Sequence, residues 1–64
     1  MAEPVTLADQ IYCVGREIGL RRNVYPKFEA SGRMKQADAD REIAAMEAVL
    51  ATLERLERSE LLGQ

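Results

Sequence analysis

Residues 7–28, LADQIYCVGREIGLRRNVYPKF, decide the fold. Apolar side chains fall at Leu7, Ile11, Val14, Ile18, Tyr25 and Phe28, in alternating steps of about four and three residues that mark one face of an α-helix. Arg21 fills the one position of the series that is not apolar. The pattern is a heptad seam about three repeats long. Thr6 stands just before it as an N-cap, and Asp9 supplies negative charge to the first turn. These signals predict a helix over residues 6–31, about 39 Å long at ~1.5 Å per residue. Pro26 cannot donate to the carbonyl of Arg22, and its ring crowds that carbonyl and the backbone of Tyr25. Because the seam keeps its phase through Tyr25 and Phe28, the expectation is a kink or a short break near Pro26, with the helix continuing beyond it.

The reading extends in both directions from this stretch. Residues 1–5 read as a flexible leader. Ser31-Gly32 reads as a turn, since glycine suits the left-handed residue that follows a helix. A second helix is predicted over residues 35–60, with Asp38, Asp40 and Glu42 complementing its dipole; residues 61–64 read as a frayed tail. Its apolar stripe is Ile43, Met46, Val49, Leu50, Leu53 and Leu56, and a separate face holds Ala37, Ala44, Ala48 and Ala51. The predicted fold is all-α, an antiparallel two-helix hairpin in a single domain.

Two features point beyond one hairpin. A chain of 64 residues rarely gains more than roughly 3–5 kcal/mol from its own core, so such domains lean on disulfides, metals or oligomerisation. Cys13 is the only cysteine and there is no histidine, so neither an internal disulfide nor a protein-only zinc cage is expected. In addition, Cys13, Leu20 and Val24 form a second apolar strip well away from the seam, and Gly15 and Gly19 offer a surface for close helix contact. One partner helix cannot cover all of this. A dimeric four-helix bundle or a higher oligomer is expected, with Cys13, Leu20, Val24, Gly15 and Gly19 as candidate interface residues.

Charge is uneven along the chain. Residues 1–35 hold six basic and four acidic side chains, and residues 36–64 hold three and seven, so the halves carry about +2 and −4. Packing one half on the other is favoured, weakly per pair. The absence of histidine also removes the commonest base for a serine or cysteine nucleophile. Gly15 and Gly19 lie inside a helix rather than in a phosphate loop, so no catalytic residues, cofactor or metal are expected. Arg21, Arg22 and Tyr25 are the candidate anion-binding residues, because arginine grips phosphate or carboxylate with two hydrogen bonds and tyrosine can stack on a base. The alternative for Arg21 is an ion pair with Glu17 one turn earlier. Arg33 and Lys35 flank the start of the second helix, a further candidate anion site. Neither helix has a continuous basic face, which weighs against duplex DNA, and the mixed charge weighs against a membrane surface. With no export signal and no long apolar run, the cytoplasm is the expected compartment.

Leu7-Ala8-Asp9, Arg21-Arg22-x-Val24-Tyr25-Pro26, Ala30-Ser31-Gly32-Arg33-Met34 and Ala39-Asp40-x-Glu42-Ile43-x-x-Met46 together resemble a group of small helical proteins encoded by tailed phages and prophages. The resemblance covers about residues 6–56, and the Tyr-Pro followed by Ser-Gly-Arg-Met is its most specific part. It implies a setting rather than an activity: a phage accessory protein in the cytoplasm of a bacterial host. The functional expectation is a non-catalytic binding protein that neutralises a host component. It would cap a host protein, or sequester an anionic nucleotide-type ligand at a subunit interface. The alternatives are a structural oligomeric adaptor in phage assembly and a nucleic-acid-binding protein.

Overall fold

A computed structural model of the chain describes residues 3–63. It contains two helices, α1 (Leu7–Ala30) and α2 (Gln36–Leu61), packed against each other as a hairpin. Met1 and Ala2 of the expected leader and Gln64 of the expected tail lie outside the described residues.

Each boundary has a local cause. At the start of α1 the Thr6 hydroxyl accepts from the Asp9 backbone N–H at 3.0 Å, and the Asp9 carboxylate accepts from the Thr6 N–H at 3.1 Å. This reciprocal capping box satisfies two of the orphan donors of the first turn. At the other end, the Gly32 N–H donates to the Glu29 carbonyl at 3.1 Å and the Arg33 N–H to the Phe28 carbonyl at 2.9 Å. That pair of bonds is a Schellman motif. It requires the residue between them to take a left-handed conformation, and Gly32 does so with φ +76°. The α2 N-cap, Lys35, makes no side-chain capping bond, and Asp38 supplies the acidic group of the first turn. α1 runs through Pro26 without a break.

The predicted seam is the face α1 turns toward α2. Ile18 is 4% exposed, and Leu7, Ile11, Val14, Arg21, Tyr25 and Phe28 are half-buried. The facing row of α2 is Ala39, Ile43, Met46, Leu50, Leu53 and Glu57. Ala39, 3% exposed, is the only fully covered residue of that helix. It sits beside Tyr25 and Pro26 close to the turn, where a larger side chain would hold the helices apart. Val49 and Leu56, counted in the α2 stripe from sequence, fall outside the contact and remain 47% and 51% exposed.

The resulting shape is a slab of 47 × 28 × 13 Å with a radius of gyration of 15.0 Å. A compact chain of this length would have a radius of about 11 Å. A thickness of 13 Å is one layer of helix, whereas stable domains enclose their core between at least two layers. Both broad faces of the hairpin therefore meet solvent.

Candidate functional site

The two broad faces differ. On one, a groove of about 290 Å³ is walled by Arg22, Pro26 and Glu29 of α1 and by Asp40, Ala44 and Glu47 of α2, with Tyr25 and Ile43 at its floor. Arg22 Nη2 donates to Glu47 Oε2 across it. This ion pair joins the helices and marks their register. Three carboxylates against one guanidinium, itself paired, make the groove electronegative.

The composition of the other face follows from helical rotation. Two residues correspond to about 200° of turn, so Leu20 and Val24, two before Arg22 and Pro26, are carried to the opposite side. Val49, two after Glu47, is carried there as well, and Leu56 follows it one heptad later. This second face carries exposed apolar side chains beside Glu17 and Arg21. Leu20 is 47% exposed, Val49 and Leu56 are similarly open, and Cys13 is exposed. A depression of about 270 Å³ lies on it, lined by Glu17, Leu20, Arg21, Val24, Tyr25 and Phe28.

The predicted anion-binding residues are thus distributed rather than gathered. Arg21 Nη1 donates to Glu17 Oε1 at 2.7 Å and to the Glu17 carbonyl at 3.4 Å. The bond to Glu17 pushes the guanidinium above its ordinary pKa; desolvation pulls the other way, and Tyr25 adds a smaller upward contribution. Arg21 borders the apolar face and Arg22 the acidic groove, with Tyr25 between them contributing to both. Arg33 stacks its guanidinium 5.8 Å from the centre of the Phe28 ring, a cation–π distance, and Phe28 in turn lies 6.4 Å from Tyr25. Lys35 is exposed at the N-cap of α2.

Among the interface candidates, Cys13, Leu20 and Val24 share the apolar face. Gly15 and Gly19 do not: a Cβ at either would meet nothing within 4 Å, so within one hairpin no close helix approach uses them. The Arg22–Glu47 pair and the burial of Ala39 escaped the sequence reading. The opposite charges of the two halves signalled such pairing in general, but nothing local identified its partners.

Among the described residues there is no cluster of three or more potential metal ligands, and no helix is long and apolar enough to cross a membrane. No protein-family model, curated protein or solved structure matches the chain.

Proposed function

We propose that this chain is a non-catalytic binding protein that works by association, pairing its apolar face to build a four-helix bundle or a larger assembly. The observation that carries the reading is surface area. The hairpin exposes 5205 Å², whereas a folded monomer of 7.2 kDa is expected to expose about 4,100 Å². The excess, about 1,100 Å², is of the size that one partner contributes to a standard protein interface, about 800 Å². Leu20, Val24, Val49 and Leu56 make one broad face the apolar candidate for covering part of that area. In this reading a bend at Pro26, where the bond to the Arg22 carbonyl is lost, shapes the turn end of the bundle.

The setting implied by the phage-protein resemblance gives the association a purpose: an accessory protein in a bacterial cytoplasm whose assembled form caps a host protein. A second reading, a small anionic ligand held at the subunit interface, draws support from the depression beside Arg21 and Tyr25. That depression lies on the apolar face, where a second subunit would roof it.

Native mass spectrometry of the protein from a bacterial host addresses both. The expected result is a multiple of the chain mass. A small anion that is retained by the wild type and lost in Arg21→Ala, with the subunit count unchanged, selects the ligand reading. A well-folded monomer at high concentration overturns the proposal.

A further inference from the structure

The apolar face has a second layer of order that its composition does not reveal. Cys13, Leu20 and Lys27 stand one heptad apart on α1, and Glu42, Val49 and Leu56 stand one heptad apart on α2; each set is one straight stripe along its helix. Read in opposite directions, the stripes match residue for residue: Lys27 with Glu42, Leu20 with Val49, Cys13 with Leu56. The register is the one the hairpin itself uses. Five residues on from Arg22 is Lys27, and five back from Glu47 is Glu42, so the Lys27–Glu42 match falls in line with the Arg22–Glu47 pair. Lys27 and Glu42 are exposed, and neither takes part in an ion pair among the described residues.

We propose that the occupant of this face is a second copy of the chain, related by a two-fold axis parallel to the helices, so that α1 of one protomer lies antiparallel on α2 of its partner and both turns point the same way. This inference rests on the association reading above and specifies its geometry. A two-fold contact must be self-complementary, and two face-to-face arrangements satisfy that. With the axis across the helices, α1 meets α1 and α2 meets α2. Both contacts are then antiparallel, so Leu20 and Val49 meet their own copies while Lys27 falls on Cys13 and Glu42 on Leu56 of the partner, which leaves both charges against apolar side chains without a counter-charge. With the axis along the helices, each Lys27 meets a Glu42, each Leu20 a Val49 and each Cys13 a Leu56. Every helix then has only antiparallel neighbours, the arrangement of an up-down bundle. The charges select the second arrangement, since it pairs each Lys27 with a Glu42 whereas the first presses both charges unpaired onto apolar side chains. The area excess of about 1,100 Å² per chain is sufficient for it.

Two chains, each carrying one cysteine in a Cys13→Ala background, test the geometry. Leu20→Cys and Val49→Cys proteins are mixed, allowed to exchange subunits and joined by a short bis-maleimide, and the products are weighed. The expected product is the mixed pair, Leu20→Cys linked to Val49→Cys, well in excess of either self-linked pair. Charge reversal provides an independent measurement: Lys27→Glu is expected to raise the dimer dissociation constant about tenfold, and adding Glu42→Lys to restore it. Self-linked Leu20→Cys as the dominant product overturns this arrangement while leaving association intact. Sedimentation of the unmodified chain as a monomer at every concentration, with no product of any kind, overturns both.

Discussion

Ile18→Ala is the most informative single change. Ile18 is 4% exposed and, among the described residues, is the only large apolar side chain that the hairpin fully covers. The substitution removes three carbons from the centre of the α1 seam, about 2.4 kcal/mol of transfer free energy at ~0.8 kcal/mol per methylene. A cavity term adds to this, but its neighbours Val14, Arg21 and Leu50 are only half-buried and can close part of the gap. The expected cost is therefore about 2.5–3 kcal/mol, in the lower half of the range for such truncations. Against a total of roughly 3–5 kcal/mol for a core of this size, that shifts the folded-to-unfolded ratio by about a hundredfold. Urea titration followed by far-ultraviolet circular dichroism reads it directly, with Tyr12→Ala as the control. Tyr12 is 73% exposed, and its removal is expected to stay within about 0.5 kcal/mol of wild type. If Ile18→Ala unfolds at the same urea concentration as the control, the seam is not what holds the helices together and the derivation of the fold fails with it.

The other expectations concern the ends and the crossing of the hairpin. Thr6→Ala removes the hydroxyl of the capping box and is expected to cost about 1 kcal/mol, with amide exchange accelerating over Leu7–Gln10 rather than across the helix. Gly32→Ala forces a side chain into a left-handed conformation at a cost of about 1 kcal/mol or more, read from the thermal midpoint. A double-mutant cycle on Arg22 and Glu47 is expected to give a coupling of only about 0.2–1 kcal/mol, because both side chains are about half exposed, and to shrink as salt is added.

Most of the fold could be read from the chain because its signals are local. The seam from Leu7 to Phe28, the Thr6 cap and the Gly32 turn each depend on residues within a few positions of one another, and the structure keeps all of them. Pro26 was harder to read. Its lost hydrogen bond left either a kink or a break open, and the described helix passes through it without ending. The limits of the α2 stripe were harder still. Six apolar residues spread over about 140° of the helix circumference do not say which row meets α1. The answer depends on where the helices touch, and this favours Ala39 and Leu50 over Val49 and Leu56. Alanine carries little hydrophobic signal of its own, so its burial follows from the narrowness of the turn rather than from its type. Arg21 was legible in part: its spacing from Glu17 allowed the pair that forms. Arg22 was not, because its partner lies across the hairpin, where only the register decides.

That register has one more consequence, for how the molecule opens. The turn joins the helices covalently at one end, with Ala39 sealed beside it and Ile18 farther along. Beyond Ile18 the seam consists of half-covered side chains, Val14, Ile11 and Leu7 against Leu53 and Glu57. Breathing therefore starts at the end of the hairpin opposite the turn, where α1 begins and α2 finishes, and travels toward the glycine. Backbone amides near Leu7 and Leu56 should exchange first and those around Ala39 last, a gradient that makes the turn the point from which the chain closes again.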